Sequence, residues 1–101
     1  MKRIALFCSA GMSTSLLVTK MKKAAKAKGI EVSIDAFPEA AMEKELDEVD
    51  VVLIGPQIKY LLNKLKKLCD EKGVPIAVIN TMDYGMMDGD KVLEQALKIM
   101  E

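Results

Sequence analysis

One stretch near the start of the chain decides its fold: Arg3-Ile4-Ala5-Leu6-Phe7-Cys8-Ser9-Ala10-Gly11-Met12-Ser13-Thr14-Ser15. Its first part, Arg3–Phe7, is short and largely apolar without polar alternation, which predicts a buried β-strand. Small residues follow, and apolar side chains then recur at helical spacing from about Ser13 to Lys28. A buried strand that leads through small residues into an amphipathic helix is typical of α/β proteins.

The remainder of the chain continues this alternation of strands and helices. Further strands are predicted at Ile30–Ala36, where apolar and polar residues alternate, and at the apolar runs Val51–Ile54 and Ile76–Ile79. The other predictions are a short helix at Glu39–Leu46 after Pro38, a helix from Pro56 to a stop at Gly73, a loop at Asn80–Asp88 and a last helix around Val92–Met100.

These elements predict an α/β fold with a single domain over residues 1–101. Right-handed crossover connections lead to a four-stranded parallel sheet in the order 2-1-3-4, with helices on both faces, which is a flavodoxin-like topology. In such sheets ligands bind at the carboxyl ends of the strands. Three segments reach that edge, which is called the rim below: Cys8–Ser15, Gly55–Gln57 and Asn80–Gly85.

The composition excludes several classes of protein. Fifteen basic and fifteen acidic residues cancel, so the chain lacks the basic excess typical of a nucleic-acid binder. The absence of histidine excludes histidine-based zinc sites, Ser-His and Cys-His nucleophile pairs, and histidine phosphorylation. No apolar run approaches the roughly 20 residues that span a bilayer, and the run after Arg3 is too short for a signal peptide. We therefore expect a cytoplasmic protein without direct membrane insertion. We also expect it to be a monomer when isolated.

The Cys8–Ser15 segment has the composition of an anion-binding loop. Small residues let the backbone fold tightly, so N–H groups of the loop and of the first helical turn can point at one spot. Such a nest binds phosphate, and the same partial positive charge stabilises a thiolate at Cys8. The segment lacks the Gly-Lys-Ser/Thr ending of a Walker motif and the glycines of a dinucleotide-binding fingerprint. The alternative interpretation is a buried cysteine at a strand end, followed by an ordinary Ser/Thr helix cap.

Three segments closely resemble the lactose/cellobiose (lactose/N,N'-diacetylchitobiose/β-glucoside) family of enzyme IIB of the phosphoenolpyruvate-dependent sugar phosphotransferase system, and most closely its cellobiose type. The active-site segment of that family is matched by Leu6-Phe7-Cys8-Ser9-Ala10-Gly11-Met12-Ser13-Thr14-Ser15-Leu16-Leu17-Val18. The other two segments are Asp50-Val51-Val52-Leu53-Ile54-Gly55-Pro56-Gln57, and Tyr84-Gly85 with Asp88-Gly89. The resemblance covers essentially the whole chain, and all three segments fall on the predicted rim.

This resemblance implies a phosphotransferase that works through a phosphocysteine. A phosphohistidine on enzyme IIA would give its phosphoryl group to Cys8, which would pass it to a cellobiose-type disaccharide held by the membrane component, enzyme IIC. The phosphate would be bound mainly through the backbone amides of Ser9, Ala10, Gly11, Met12, Ser13, Thr14 and Ser15. Neither a metal nor any other cofactor is implied. The resemblance does not identify the sugar, because enzyme IIC binds it, although cellobiose, other β-glucosides or chitobiose are favoured over lactose.

Gln57 and Tyr84 occupy positions that match the family at the rim, and two interpretations of each stay open. Gln57 either contacts the phosphate site or only caps its helix. Tyr84 either contacts the site or only packs over the loop.

The main alternative is a low-molecular-weight tyrosine phosphatase or an arsenate reductase, which shares this topology and has a cysteine nucleophile in the same loop. The phosphatase loop has an arginine six positions after the cysteine, and that position is Thr14 in this chain. An arginine there would bind the oxygens of the phosphoryl group in the transition state, so its absence argues against hydrolysis. Asp83 lies where such a phosphatase has its general acid, although a solvated loop aspartate is the favoured interpretation.

Two further alternatives are disfavoured. A redox pair of Cys8 and Cys69 is geometrically doubtful, because Cys69 continues the apolar face of a helix and is expected in the core. A regulatory module like the IIB-like domains of some transcription regulators is disfavoured because the chain carries no added DNA-binding segment.

Overall fold

The computed structural model describes residues 1–8 and 11–100, with the backbone alone for residues 11–13. Four strands form the sheet: β1 (Lys2–Cys8), β2 (Val32–Pro38), β3 (Val51–Ile54) and β4 (Ile76–Val78). Five α-helices are described: α1 (Gly11–Ala27), α2 (Met42–Glu45), α3 (Leu62–Lys72), α4 (Thr81–Gly85) and α5 (Gly89–Met100). Short 3₁₀ segments at Glu39–Ala41, Leu46–Glu48 and Pro56–Leu61 flank α2 and precede α3.

The sheet is parallel throughout and has the order β2-β1-β3-β4, which confirms the predicted α/β topology. Strand β1 is central, and it pairs with β2 from Lys2 opposite Val32 to Cys8 opposite Pro38. Its other edge pairs with β3, so that Phe7 lies opposite Ile54. The carboxyl ends of β1 and β3 therefore lie side by side at the rim.

Alternation along the two central strands sends side chains into two cores, one on each face of the sheet. Ile4, Leu6, Val51 and Leu53 pack in the core beneath α1 and α5. The alternate residues of the same strands pack in the second core with Ile58, Leu65 and Cys69, beneath α3. Both faces of β3 are buried, and this explains why its sequence is an apolar run without alternation.

Two glycines end helices as the sequence predicted. Gly29 has φ 69° and Gly73 has φ 70°, a left-handed conformation that glycine adopts without steric cost. After Gly29, the Ile30 N–H still donates a hydrogen bond to Ala25 O at 2.9 Å and so closes α1. Strand β2 therefore begins at Val32 rather than at the predicted Ile30, although it is half-buried and lies at the sheet edge as expected.

The prediction of a loop over Asn80–Asp88 is wrong at its centre, because Thr81–Gly85 forms helix α4. Asn80 is the N-cap residue of this helix, and its side-chain oxygen accepts a hydrogen bond from Asp83 N at 3.1 Å. Asparagine is among the best N-cap residues because it satisfies an N–H that the first turn leaves without a helical partner. The glycines near this segment favoured a loop, but the cap stabilises one helical turn.

Candidate functional site

Cys8 is the last residue of β1, and its side chain is fully buried. It lies between the ends of β2 and β3, opposite Pro38 and next to Gly55, whose N–H donates to Phe7 O at 2.9 Å. Helix α1 begins at Gly11, three positions after the cysteine. The thiol is thus held at the rim, close in sequence to a helix N-terminus whose N–H groups have no helical acceptors.

The loop between strand and helix lies partly outside the described residues. Ser9 and Ala10 belong to the part of the chain about which the structure says nothing, and Gly11–Ser13 are described by backbone alone. The predicted nest therefore stays a prediction for these five residues. Of the remaining loop residues, Thr14 is buried and Ser15 is exposed in the first turns of α1.

Tyr84 brings together three of the predicted site residues. The Gln57 amide nitrogen, Nε2, donates to the Tyr84 hydroxyl oxygen at 2.7 Å. The same oxygen lies 3.2 Å from Thr14 Oγ1, and either hydroxyl can be the donor of that bond. The ring of Tyr84 is half-buried against the core beneath α1 and α5. These bonds join the segments that follow β1, β3 and β4.

Gly55 was predicted as a turn residue, but its place in the site was missed. A Cβ built on Gly55 would collide with Gln57 Oε1, and it would lie 3.6 Å from Cys8 Cβ. The Gln57 carboxamide therefore folds back over Gly55, in the space that any larger residue would occupy. The available signal in the sequence was a glycine directly after a buried strand at the rim. A glycine in such a position often marks a place where a ligand or another part of the chain approaches the backbone closely.

Gln95 is a second residue that the sequence did not single out for the rim. Its Nε2 donates to Val78 O at 2.8 Å, and its Oε1 accepts from Asn80 N at 3.2 Å. The carboxamide thus pairs with the end of β4 much as a peptide group of a neighbouring strand would. Helix α5 thereby holds the start of the segment that carries Tyr84.

Asp83, the general acid of the phosphatase alternative, faces a different part of the surface from Tyr84. It lines a groove along α5 together with Asn80, Lys91, Glu94, Gln95, Leu97 and Lys98. Successive helical residues point about 100° apart, which explains why Tyr84 contacts Thr14 while its neighbour lines this groove. The position of the phosphatase arginine is occupied by Thr14, whose hydroxyl is engaged with Tyr84.

Cys69 is a core residue, as the sequence predicted. It is fully buried in α3 beneath the sheet, and neither it nor Cys8 is in a disulfide. Burial, with a smaller contribution from the charge of Asp70, raises the pKa of the Cys69 thiol to about 11. A protonated thiol is a poor nucleophile, so this residue lacks the properties of a reactive cysteine.

Three of the exposed large apolar side chains belong to the segments that follow β1 and β4. Leu16 is 51% exposed in α1, and Met82 and Met86 are each 71% exposed in and after α4. Large apolar residues at such exposure gain little from folding, and several of them near one site indicate a surface for a partner. None of the described helices is long and apolar enough to cross a membrane.

The chain matches the family described as "PTS system, Lactose/Cellobiose specific IIB subunit" over residues 3–95. It is 48% identical over 100 residues to the PTS system oligo-beta-mannoside-specific EIIB component of Bacillus subtilis (strain 168). That similarity extends over 99% of this chain and 97% of the Bacillus protein.

Two solved structures have the same fold. The cellobiose-specific phosphotransferase IIB component protein from Borrelia burgdorferi is 43% identical, with a TM-score of 0.82 over 98% of this chain and 91% of that one. The lactose-specific IIB component domain from Streptococcus pneumoniae has a TM-score of 0.89 over 99% of this chain and 98% of that one. At 16% identity, the second likeness shows the fold alone.

Proposed function

Since this chain belongs to the lactose/cellobiose-specific IIB family of the sugar phosphotransferase system, we propose that it carries the phosphoryl group on Cys8. The general role of a phosphoryl carrier in sugar uptake follows from the family. The proposal consists of the residue that is phosphorylated, the donor and acceptor of the phosphoryl group, and the sugar that is taken up. The observation that carries it is the position of Cys8, buried at the end of β1 and three residues before the first turn of α1.

The proposed reaction consists of two transfers. In the first, the thiolate sulfur of Cys8 attacks the phosphorus of a phosphohistidine on enzyme IIA, so that an S–P bond forms and the N–P bond breaks. In the second, a hydroxyl of the sugar held by enzyme IIC attacks the same phosphorus, the S–P bond breaks, and the thiolate is restored. The proton of the sugar hydroxyl passes to water in that step. Each transfer conserves one phosphoryl group and needs no metal or other cofactor.

The helix N-terminus supplies the electrostatic stabilisation that this cycle requires. A phosphocysteine adds up to two negative charges next to a buried strand end, where isolated charges are costly. Backbone N–H groups of the segment Ser9–Ser15, aimed at the phosphoryl oxygens, would offset that cost and stabilise the transition state. N–H groups preorganised in this way would need little reorganisation when the phosphoryl group arrives.

The partners follow from the same chemistry. Cys8 is buried, so a donor histidine reaches it only when enzyme IIA sits directly on the rim. The exposed Leu16, Met82 and Met86 offer an apolar surface there. We place the protein in the cytoplasm, as a monomer when isolated, in contact with the membrane only through enzyme IIC.

The sugar is proposed to be of the cellobiose type. Its choice rests with enzyme IIC, and relatives of this chain are accordingly named for oligo-beta-mannosides, cellobiose and lactose. Transfer of labelled phosphate to a panel of disaccharides, in membranes that contain the cognate enzyme IIC, identifies it. Preferential labelling of lactose would contradict the cellobiose assignment while leaving the Cys8 assignment intact.

The Cys8 assignment is tested by reconstitution with phosphoenolpyruvate, enzyme I, the histidine carrier protein and a matching enzyme IIA. We expect one phosphoryl group per chain, with the ³¹P resonance of an S–P bond. Cys8→Ser should abolish this signal, whereas Cys69→Ala should retain it, because Cys69 is in the core beneath α3. Labelling that survives Cys8→Ser would refute the assignment.

Hydrolysis of aryl phosphates tests the phosphatase alternative. A carrier gains nothing from a general acid that would lose its phosphocysteine to water, and Asp83 lines the α5 groove. We expect no turnover that depends on Cys8. Turnover lost in both Cys8→Ser and Asp83→Asn would establish a hydrolase instead.

A further inference from the structure

The hydroxyl oxygen of Tyr84 is hydrogen-bonded to two other segments of the rim. It accepts a hydrogen bond from Gln57 Nε2 at 2.7 Å and pairs with Thr14 Oγ1 at 3.2 Å. These three residues lie in the segments that follow β3, β4 and β1, up to 70 positions apart in the sequence. A phenolic hydroxyl has one proton and two acceptor lone pairs, so a single oxygen can hold both neighbours at once.

Thr14 is the partner that links Tyr84 to the Cys8 site. Its side chain is only 1% exposed, and it lies in the first turn and a half of α1, whose N-terminus follows the Cys8 loop. A buried hydroxyl needs a hydrogen-bonding partner, and Tyr84 supplies it. The bond therefore constrains the rotation of this helix end relative to the ends of β3 and β4.

Gly55 makes room for the other partner of Tyr84. The Gln57 carboxamide lies against the Cα of Gly55, where a Cβ would collide with Oε1, and that Cβ would be 3.6 Å from Cys8 Cβ. The absence of a side chain at Gly55 thus lets Gln57 fold back beside the cysteine and still reach Tyr84. The four residues form one connected unit, called the Tyr84 junction: Thr14, Gly55, Gln57 and Tyr84.

We propose that Gln57 and Tyr84 are positioning residues for phosphoryl transfer, which hold the first turns of α1 in the orientation that aims their N–H groups at the phosphoryl group on Cys8. This inference rests on the proposed function of Cys8. It assigns the two residues a role through Thr14 and α1, without requiring either to touch the phosphoryl group. Misplacement of an oriented group by about 1 Å costs up to about a hundredfold in rate, so the loss of one such bond has a measurable effect.

The first experiment measures the rate of transfer from phosphorylated enzyme IIA, as a function of its concentration, for Tyr84→Phe and Gln57→Met. Both changes keep the size of the side chain and remove only its hydrogen bonds. We expect kcat to fall about tenfold in each variant with KM changed less than about twofold, because the surface that meets enzyme IIA is retained. Tyr60→Phe is the matched control: Tyr60 is a 77% exposed tyrosine on the segment after β3, and its hydroxyl should be dispensable.

Three further comparisons separate positioning from a general loss of stability. The double variant Tyr84→Phe/Gln57→Met should transfer the phosphoryl group at about the rate of the single variants. Both changes break the same hydrogen bond, between Gln57 and Tyr84. Gly55→Ala should reproduce Gln57→Met by displacing the carboxamide. Thr14→Val should lower kcat like Tyr84→Phe, and Thr14→Ser should restore it, because serine keeps the hydroxyl. Multiplicative losses in the double variant, or a Tyr84→Phe rate equal to that of Tyr60→Phe, would overturn the proposal.

A spectroscopic measurement makes the junction testable even if Cys8 takes no phosphoryl group. In ¹H–¹⁵N spectra with inorganic phosphate, Tyr84→Phe and Gln57→Met should shift the same backbone amides of α1 residues 14–17, and Tyr60→Phe should not. Absence of these shared shifts refutes the junction. Their presence in a protein that enzyme IIA fails to phosphorylate refutes the proposed function of Cys8 and, with it, the positioning role in transfer.

Discussion

At the scale of single residues, the two cysteines of this chain differ in what surrounds them. Cys8 ends a central strand at the rim, with Gly55 beside it and a helix beginning three positions later. Cys69 is enclosed in the core beneath α3, where burial raises the pKa of its thiol to about 11. The two cysteines are equally buried and therefore differ in position: Cys8 lies at the rim, and Cys69 lies in a core.

The raised pKa of Cys69 predicts a loss of stability at alkaline pH. From its ordinary value of 9.0 to about 11, the thiol stays protonated in the folded protein but ionises in the unfolded chain. The folded state then binds more protons, so the free energy of unfolding falls as pH rises, by up to roughly 2–3 kcal/mol. Below pH 9.0 this contribution is fully present and constant.

Urea unfolding at about pH 8 and about pH 10.5 measures this linkage, with Cys69→Ala as the comparison. The variant loses some packing at both pH values. Between them, however, we expect its free energy of unfolding to decline less than that of the wild type. All other side chains are the same in the two proteins, so the difference between their pH dependences reports the thiol. If the free energy of unfolding declines equally with pH in the wild type and the variant, the Cys69 thiol ionises alike in the folded and unfolded states.

At the scale of elements, the contact between α1 and α5 depends on a glycine. Gly89 is the first residue of α5, and a Cβ there would lie 2.5 Å from the Lys20 carbonyl carbon and 2.7 Å from its oxygen. These are backbone atoms of α1, which cannot turn aside as a flexible side chain would. The two helices that cover one face of the sheet can approach this closely only because residue 89 lacks a side chain.

Gly89→Ala should therefore destabilise the protein by about 1–3 kcal/mol, because the two helix backbones must separate. Gly85→Ala is the matched control, since a Cβ at Gly85 meets no atom within 4 Å and its φ is not positive. We expect the control to change the free energy of unfolding by less than about 1 kcal/mol. Denaturant midpoints for the two variants decide the question, and equal destabilisation would contradict the close approach of α1 and α5.

At the scale of the whole molecule, the rim combines a buried cysteine, Cys8, with exposed apolar side chains. Leu16, Met82 and Met86 belong to the segments that follow β1 and β4, on the same edge of the sheet as Cys8. The parallel topology produces this arrangement, because all four strands end at one edge. A partner that covers the apolar surface is thereby brought to the cysteine.

The double variant Met82→Ser/Met86→Ser should accordingly weaken the interaction with enzyme IIA. Both side chains are 71% exposed, so the free energy of unfolding should change by less than about 1 kcal/mol. We expect KM for phosphorylated enzyme IIA to rise several-fold with little change in kcat, the opposite of the pattern expected for Tyr84→Phe. Lys26→Ser, an exposed change near the other end of α1, is the control. An unchanged KM would show that enzyme IIA docks elsewhere.

Local patterns in the sequence determined the strand order, the two-sided core and the rim position of Cys8. Apolar runs, helical spacing and the glycines at 29 and 73 each involve only a few neighbouring residues, and right-handed crossovers restrict their arrangement. The helix at Thr81–Gly85 was missed although its cap, Asn80 three residues before Asp83, was present in the sequence. The prediction of a loop gave more weight to the nearby glycines than to Asn80. An asparagine caps a helix only when its side chain points at the N–H groups of the first turn.

Only the tertiary structure decided how the rim is connected. The contact between Tyr84 and Thr14 spans 70 positions, and the close approach of Gly89 to Lys20 spans nearly as many. Such contacts depend on where side chains point once separate elements have packed, and no local pattern encodes that. The sequence by itself determined that Cys8 lies at the carboxyl edge of a parallel sheet. The packing of three distant segments decided that Gln57 is hydrogen-bonded to Tyr84, and Tyr84 in turn to Thr14 of α1.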